Sequence, residues 1–284
     1  MSSTTASQVE DRFEDQARGW GVVVNQILET ESSLIGFGSR GDQPVVLKVI
    51  RRPGDEWRSG EVLDAFDGKG IARVFEYVAG AVLLERLSPG NSLVGKVLNG
   101  SDDEATEVLA DVIQKMSPRQ LVKPVVTVED WAKGFERYSA SGDAQIPRSL
   151  VEKAHRVYLE LCESQSNPRL LHGDLQHYNV LFDSDRGWVA IDPKGVLGEI
   201  EYEIGALLRN PYDNPELFAQ PATVERRLNR LVSRLNLDFR RALAWGFAQA
   251  ILSAIWGVED GFRVDARNPG VMLAEAILPM VEQD

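Results

Sequence analysis

The hydrophobic and polar positions divide the chain into a β-rich first part and a mainly helical remainder. Short runs of β-branched and aromatic residues, separated by Ser and Gly, are typical of antiparallel strands. Residues 56–66 have the apolar spacing of a helix, and helical periodicity dominates after the Ser-Pro-Gly break at residues 88–90. The predicted strands cover residues 22–30, 34–37, 44–50, 72–78 and 81–84.

This layout predicts an α+β fold with two domains, for which a chain of 284 residues is long enough. A small, antiparallel β-rich lobe with one helix would occupy residues 1–87, and a larger, mainly helical lobe would occupy residues 88–284. Residues 1–8 are small and polar, so we expect them to form a frayed terminus.

The strongest chemical signal is LLHGDLQHYNVLFD at residues 170–183, followed by VAIDPKGV at residues 189–196. Phosphoryl transfer needs a carboxylate that orients the attacking hydroxyl and accepts its proton, and it needs oxygen ligands for Mg²⁺. We assign the first role to Asp174 and metal binding to Asn179 and Asp192. Asp and Asn are common in turns, but their joint order and spacing here favour a catalytic site.

The order HGDxxxxN followed by a metal-binding Asp resembles the aminoglycoside phosphotransferase and related small-molecule kinase family. The continuation IDPKGVLGEIEYEIGALLRNP, residues 191–211, is similar to the streptomycin and hydroxyurea phosphotransferase branch. The resemblance extends from about Val45 to about Pro211. It implies a bilobal protein-kinase-like fold, ATP or GTP as co-substrate, and a small-molecule hydroxyl as acceptor.

Lys48 lies inside the apolar run VVLKV, where a charged residue is unusual. A lysine that faces water from an edge strand is the alternative. Together with the downstream motifs, the position favours the strand lysine that contacts the α and β phosphates of a nucleotide. We expect its partner to be a carboxylate on the next helix, with Glu61 as the first choice and Glu56 as the second.

A glycine-rich segment, GFGSRG at residues 36–41, literally matches the phosphate-binding pattern GxGxxG. The match lies too close to Lys48, because a full strand must separate a phosphate loop from the lysine strand. We therefore interpret residues 38–43 as a turn between two strands. The phosphate-covering loop is expected at residues 30–33, where Ser32 and Ser33 offer hydroxyl and backbone donors.

The resemblance also implies a role for the connector, the segment that follows the predicted strand at residues 81–84. In that family the connector supplies backbone hydrogen bonds to the purine edge, which makes Glu85 and Leu87 candidate nucleotide-binding residues. Because side chains do not decide such bonds, ATP and GTP cannot be distinguished here.

Two positions depart from the pattern of the resembling enzymes. Gln176 stands where the streptomycin-type enzymes tend to have histidine, and Glu203 stands where the family usually has an aspartate that anchors the catalytic loop. Lys194 could supply the positive charge that Gln176 lacks, or it could be a solvated turn lysine. The resemblance implies a structural role for His172.

The acceptor pocket is expected in the helical part of the chain. Acidic groups there would suit a guanidino or amino substrate, although the two acidic residues near position 260 could instead only terminate a helix. The candidate acceptor-binding residues are Glu199, Tyr202, Trp256, Glu259 and Asp260. Asp192 and Glu203 are eleven residues apart, which is too short for a peptide-binding activation segment.

Charge and apolar content bear on the binding partners and the cellular location of the protein. The formal net charge of −12 argues against nucleic-acid binding and is compatible with cationic substrates. The most apolar run, residues 243–258, is too short to span a bilayer comfortably, and no secretory signal is visible. We therefore expect a cytoplasmic monomer that binds neither nucleic acid nor membrane.

Three functions are compatible with these motifs. The leading interpretation is a magnesium- and nucleotide-dependent kinase that phosphorylates a hydroxyl of an aminoglycoside or a related antibiotic. The second is a metabolic kinase that acts on a sugar or an amino alcohol. The third is a nucleotide-binding regulatory module without catalysis, which the intact Asp174, Asn179 and Asp192 disfavour.

Overall fold

The computed structural model describes residues 3–119 and 126–282. The chain forms two compact units, each assembled from separate segments. The first unit comprises Met1–Asn91, Lys115–Val122 and Leu181–Lys194, and the second comprises Ser92–Gln114, Lys123–Val180 and Gly195–Asp284. The lobe boundary between residues 87 and 88 stays a prediction.

The first unit begins with a helix and a five-stranded antiparallel sheet. The sheet has the strand order β1-β2-β3-β5-β4, so that β3 lies at its centre. A short 3-10 helix, Asp55–Arg58, precedes the second helix. The elements are α1 (Ser3–Gly19), β1 (Val23–Glu29), β2 (Ser33–Arg40), β3 (Gln43–Ile50), α2 (Ser59–Phe66), β4 (Val74–Val78) and β5 (Ala81–Glu85).

Alternation along β3 determines which face of this sheet is the core. Val45, Leu47 and Val49 point to one face and join a buried cluster with Val9 and Phe13 of α1. The expectation of a frayed terminus over residues 1–8 is wrong for residues 3–8, which lie in α1, while residues 1–2 lie outside the described residues. The polar residues there gave no apolar signal, because the two buried side chains of α1 follow them.

The glycine-rich segment lies mostly inside a strand. Gly36 and Gly38 belong to β2, and only Gly41, with φ of +59°, lies in the turn that leads to β3. A Cβ atom at Gly36 would lie 2.5 Å from Phe13 Cζ, and one at Gly38 would lie 2.1 Å from the Val23 carbonyl oxygen. The prediction of a turn over residues 38–43 was therefore too wide, since these glycines permit close packing by α1 and β1.

The remaining elements are mainly helical, apart from two small groups of strands. β6, β8 and β9 form a three-stranded sheet, and β7 pairs with β10 in an antiparallel ladder. The elements are β6 (Pro89–Ser92), α3 (Val94–Leu98), α4 (Asp102–Lys115), α5 (Val128–Ser141), α6 (Arg148–Glu163), β7 (Arg169–Leu171), β8 (Val180–Asp183), β9 (Gly187–Ala190), β10 (Val196–Gly198), α7 (Ile204–Leu208), α8 (Pro215–Phe218), α9 (Pro221–Leu235), α10 (Phe239–Glu259) and α11 (Pro269–Val281).

Helix α10 is the central element of the second unit. It packs against α5, α6, α7 and α11 and buries Trp245 and Phe247 completely. Among the described residues it is the one helix long and apolar enough to cross a membrane, but 67% of that apolar window is buried inside the protein. Burial on this scale is the property of a core helix that is apolar on most of its surface.

Candidate functional site

The catalytic loop runs from β7 to the 3-10 helix His177–Asn179. Asn179 Nδ2 donates to the Asp174 carbonyl oxygen at 2.9 Å and lies 3.4 Å from Asp174 Oδ2. Gly173, with φ of +81°, lies directly under Trp131, whose Cη2 atom would be 3.0 Å from a Cβ atom at that position. The loop therefore needs glycine at this point and holds the predicted base and one predicted metal ligand side by side.

Glu203 anchors this loop from below. Its Oε2 accepts a hydrogen bond from His172 N at 2.7 Å, and its Oε1 accepts one from Gly173 N at 3.0 Å. Burial raises the pKa of Glu203 to about 7, against the opposing effect of the backbone donors. Glu203, although its side chain is longer than the aspartate usual in the family, thus reaches both backbone N–H groups of the turn.

Arg209 is a residue of this site that the sequence reasoning missed. It is buried at the end of α7, where Nη2 lies 3.6 Å from Asp174 Oδ1 and Nη1 donates to Gln249 Oε1 at 2.7 Å. Burial lowers the pKa of Arg209 and Asp174 opposes that shift, so the guanidinium places a cation beside the predicted base. The available signal was an arginine that directly follows the apolar run Ile204–Leu208.

Gln176 has a local structural role. It is mostly buried, and its Oε1 accepts a hydrogen bond from Tyr178 N at 2.8 Å, which caps the 3-10 helix of the loop. His172 is fully buried, and its Nδ1 accepts from Asp174 N at 3.3 Å. Both side chains therefore stabilise the shape of the loop through hydrogen bonds to its backbone N–H groups.

The first unit holds the second half of the predicted machinery. Lys48 is 5% exposed, and its Nζ donates to Asp192 Oδ1 at 2.6 Å and to Glu56 Oε2 at 3.0 Å. Burial alone would lower the pKa of Lys48, but the two carboxylates outweigh it and raise the pKa. Lys48 of β3 and Asp192, two residues after the end of β9, are thus in direct contact, which joins a lysine to the predicted metal-binding aspartate.

The partner of Lys48 differs from our first choice. Glu61, on α2, accepts from Arg58 Nη2 at 2.6 Å, whereas Glu56 is the helix-side carboxylate that pairs with Lys48. The 3-10 helix before α2 causes this difference, because it turns Glu56 back towards β3 within eight residues of Lys48. The partner of Lys48 is therefore Glu56, our second choice, and not Glu61.

The sheet face around Lys48 is apolar and partly open. Ile35 is directly opposite Lys48 on β2, and Phe37 is directly opposite Val46, so these side chains share the face of Lys48. Ile35, Phe37 and Val46 are half-buried, in contrast to the fully buried opposite face. The Arg86 guanidinium lies over the Phe37 ring at 5.3 Å.

The predicted phosphate loop is a tight turn between β1 and β2. Thr30 Oγ1 donates a hydrogen bond to the Ser33 carbonyl oxygen at 3.0 Å and accepts one from Ser33 N at 3.0 Å. The Ser33 hydroxyl is buried and bonded to Thr30, whereas Ser32 is exposed. The Ser32 side chain is therefore accessible, although its carbonyl oxygen accepts a hydrogen bond from Arg51 N at 2.7 Å, while Ser33 contributes to the turn itself.

The connector residues have structural side-chain contacts. The Glu85 carboxylate pairs with Arg186 and accepts from Arg73 N at 2.7 Å. Leu87 packs in a small buried cluster with Ala72 and Val189. Their proposed contribution to a nucleotide thus lies in the backbone.

Two of the candidate acceptor residues are corrected by their burial. Glu199 is 1% exposed, and its carboxylate is neutralised by Arg241 and also accepts from Trp245 Nε1. Tyr202 is fully buried, with ring contacts to Trp131 and Trp245. Both side chains therefore lie inside the second unit, where they stabilise the helical core.

The other acceptor candidates lie at the end of α10. Glu259 pairs with Arg137 through Nε at 2.8 Å and Nη2 at 3.0 Å, and Asp260 is exposed. Trp256 is half-buried and meets Trp131 edge to face at 5.3 Å. Lys194, in the first unit, is half-buried. The role of these four residues stays a prediction.

Asn179 and Asp192 have the chemistry that magnesium prefers. The ion takes hard oxygen ligands and usually keeps several waters beside one or two protein carboxylates and substrate phosphates. Among the described residues no group of three or more His, Cys, Asp or Glu side chains could hold a metal ion by itself. Asn179 offers an amide oxygen and Asp192 a partly exposed carboxylate, and both have the ligand chemistry of magnesium.

Comparisons with known proteins agree with these motifs. The sequence model of the aminoglycoside/hydroxyurea antibiotic resistance kinase family matches residues 18–261. A streptomycin 3''-kinase from Klebsiella pneumoniae is 36% identical over 241 residues, which cover 83% of this chain and 88% of that protein. A hydroxyurea phosphotransferase from Kitasatospora aureofaciens is 30% identical over 267 residues, covering 86% of this chain and 74% of that protein.

A likeness to solved structures shows the fold. The crystal structure of a thermostable mutant of an aminoglycoside phosphotransferase, in a ternary complex with ADP and hygromycin B, has a TM-score of 0.65 to this chain. The match covers 96% of this chain and 99% of that chain at 16% sequence identity. The predicted protein-kinase-like α+β fold is thereby confirmed.

Proposed function

Because the chain belongs to the aminoglycoside/hydroxyurea antibiotic resistance kinase family, we propose that its acceptor is an aminoglycoside of the streptomycin type. The chain is an enzyme, a phosphotransferase that uses a nucleotide as co-substrate. The observation that carries the proposal is the catalytic loop, where Asn179 holds the Asp174 backbone and Glu203 fixes the preceding turn. The magnesium requirement and the choice of acceptor hydroxyl belong to the proposal.

In the proposed reaction, Asp174 accepts the proton of the acceptor hydroxyl as its oxygen attacks the γ-phosphorus. The bond from that phosphorus to the bridging oxygen breaks, and the nucleoside diphosphate leaves. Arg209 Nη2 lies 3.6 Å from Asp174 Oδ1 and places a positive charge beside the carboxylate that would accept the proton. Asn179 and Asp192 would each offer an oxygen ligand to magnesium, which would neutralise charge on the phosphate oxygens when bound.

The nucleotide is proposed to lie against the sheet face of Lys48. The half-buried Ile35, Phe37 and Val46 offer apolar surface to a purine, and Lys48 lies on the same face for the phosphates. The tight turn at residues 30–33 would cover the phosphates through the backbone N–H groups of its two central residues, since Thr30 N and Ser33 N donate within the turn. The backbone of the connector, residues 85–87, would bind the purine edge.

The acceptor class is supported by the two relatives and by charge. One relative is a streptomycin kinase at 36% identity, and the formal net charge of this chain is −12. A strongly acidic protein attracts cationic acceptors such as guanidino and amino sugars. We further propose that the enzyme acts as a cytoplasmic monomer, where nucleotides are available.

A phosphotransfer screen tests this proposal. Purified protein would be incubated with magnesium and either ATP or GTP, together with streptomycin, other aminoglycosides, hydroxyurea or choline. We expect phosphorylated streptomycin with the wild-type protein and at least 100-fold less with Asp174→Asn, since general base catalysis contributes about 10²–10⁴ in rate. Faster phosphorylation of choline or another metabolite than of any antibiotic would refute the proposed acceptor class and favour a metabolic kinase.

A further inference from the structure

Two tyrosines and an aspartate meet beside the catalytic loop of the second unit. Tyr178, which precedes Asn179, stacks on Tyr212 with ring centroids 4.5 Å apart and an interplanar angle of 27°. The Tyr178 hydroxyl donates to Asp213 Oδ2 at 2.7 Å. We call these three residues the tyrosine–aspartate cluster. None of them has a role in the proton transfer or in nucleotide binding as described above.

The loop that carries Tyr212 and Asp213 is fixed at its base. Asn210 is buried, and its Nδ2 donates to the Ala206 carbonyl oxygen at 2.6 Å. Arg227 Nη1 donates to the Asn210 carbonyl oxygen at 2.8 Å, and Tyr212 N donates to Asn210 Oδ1 at 3.3 Å. A recognition site built on such a supported loop loses little conformational entropy when a ligand binds.

The cluster faces solvent although two aromatic rings form it. Tyr212 is 50% exposed while one of its ring faces lies against Tyr178, and Asp213 is exposed. The half-buried Tyr178 donates its hydroxyl proton to Asp213 Oδ2, which holds the carboxylate beside the two rings. An aromatic ring with a charged carboxylate at its edge is the arrangement that attracts a guanidinium or ammonium group.

We propose that the tyrosine–aspartate cluster binds a guanidinium or ammonium group of the acceptor, while another part of that acceptor presents its hydroxyl to Asp174. The proposal rests on the proposed function. Tyr178 is four residues after Asp174, so their Cα atoms are at most about 14 Å apart, which is a span of two or three linked sugar rings. Asp213 offers a charged acceptor and Tyr212 a ring face, which together fit the planar donor group of guanidinium.

The carboxylates at the end of α10 are weaker candidates for this role. The Glu259 carboxylate is engaged by two nitrogens of Arg137, so a ligand cation would have to displace that pair. Asp213 accepts a hydrogen bond from the Tyr178 hydroxyl, a neutral group that a ligand cation would not have to displace as it would Arg137. The cluster also lies next to the loop of the predicted base.

The test uses streptomycin as the acceptor and ATP as the donor in steady-state kinetics. We expect Asp213→Asn to raise the KM for streptomycin about 10-fold or more, the order of a charge-assisted hydrogen bond. Tyr212→Ala should raise it about three- to fivefold, the order of a cation–π contact at an exposed ring. The kcat and the KM for ATP should stay within about twofold of wild type. Tyr212→Phe, which keeps the ring, should behave like wild type.

Matched controls come from exposed residues elsewhere. Asp185→Asn removes a charge from the exposed turn between β8 and β9, and Phe262→Ala removes an exposed ring beyond α10. If Asp213→Asn and Tyr212→Ala change the streptomycin KM no more than these controls, the cluster does not bind the acceptor. A parallel rise of the ATP KM in the two variants would instead show that the cluster only shapes the catalytic loop, and this would overturn the inference as well.

The failure of this inference is separable from failure of the proposed function. Wild-type protein that transfers phosphate to no cationic antibiotic would refute the proposed acceptor class. Wild-type protein that phosphorylates streptomycin, with unchanged KM in both cluster variants, would leave the acceptor class intact and refute the cluster alone.

Discussion

Lys48 shows how a single side chain reveals its role through its partners. A lysine held by two carboxylates, Glu56 and Asp192, is a charge network that a structural core does not require, because apolar residues of similar volume often serve as well. Under the proposed function, Lys48 would contact the phosphates and Asp192 would offer its carboxylate to magnesium. The two side chains would then exchange their present hydrogen bond for contacts with the nucleotide and its metal.

Lys48→Ala should separate phosphate binding from purine binding. The side chain reaches the phosphates and not the purine, so adenosine affinity should change by less than about twofold while ATP turnover falls by roughly 100-fold or more. Calorimetry with adenosine and a phosphotransfer assay measure the two effects. Equal loss for adenosine and ATP would point to a folding defect instead of a phosphate contact.

The limits of sequence reasoning are visible in single residues. HGDxxxxN and IDP predict the roles of Asp174, Asn179 and Asp192, because phosphoryl-transfer chemistry depends on short, fixed spacings. Glu61 was chosen over Glu56, and Glu199 was placed in the pocket, because tertiary burial decides which of several nearby carboxylates meets a cation. Arg209 was missed because its contact with Asp174 crosses 35 positions of sequence.

At the scale of elements, Glu203 holds the turn that joins β7 to the catalytic loop, because it accepts hydrogen bonds from His172 N and Gly173 N. Its folded-state pKa of about 7 lies above the ordinary value of 4.5, so the folded protein binds a proton more tightly than the unfolded chain. The protonated side chain thus contributes stability that is fully present below pH about 4.5 and is lost as the pH rises through about 7.

Glu203→Gln removes this titration. Urea unfolding of both proteins between pH 4.5 and 8 should show the stability of the wild type, relative to the variant, falling with pH and becoming constant above about pH 7.5. Gln also replaces one acceptor oxygen by a donor that faces a backbone N–H, which should cost about 1–3 kcal/mol at all pH values. A pH-independent difference between the two proteins would show that Glu203 is already ionised across this range.

Strand β2 gives a second prediction at this scale. Gly38→Ala forces a Cβ atom against the Val23 backbone, so we expect a loss of about 1–3 kcal/mol in unfolding free energy and an ATP KM within about twofold of wild type. Gly41→Ala is the matched control: its φ of +59° strains the turn, but nothing lies within 4 Å of the new Cβ atom. A raised ATP KM with unchanged thermal stability in Gly38→Ala would show that the literal GxGxxG match binds phosphate.

The strands of the first unit were predictable because β-branched runs alternate with Gly and Ser, and all five sheet strands lie near the expected positions. Helix α1 was not, because its polar first turns gain their helical state from two side chains buried against β2 and β3. Residues 56–66 had helical spacing throughout, yet Asp55–Arg58 forms a 3-10 helix before α2 begins at Ser59. Local patterns specify element type better than element ends.

At the scale of the whole molecule, the charge balance bears on substrate selection. A formal net charge of −12 attracts a cationic acceptor and repels a nucleotide polyanion, so the nucleotide depends on local groups such as Lys48. This asymmetry favours cationic acceptors over neutral metabolites of similar size. It also gives the two substrates different responses to ionic strength.

Raising NaCl from about 20 mM to about 300 mM shortens the Debye length from about 20 Å to about 6 Å. The KM for streptomycin should then rise several-fold, because screening weakens both the long-range attraction and the contact with Asp213. The KM for ATP should not rise in parallel, since screening also relieves its repulsion from the acidic surface. Wild-type kinetics at constant free magnesium measures both values, and Asp213→Asn should show a shallower salt dependence for streptomycin alone. A parallel increase of both KM values would indicate a general salt effect on the fold and would remove net charge from the explanation of acceptor choice.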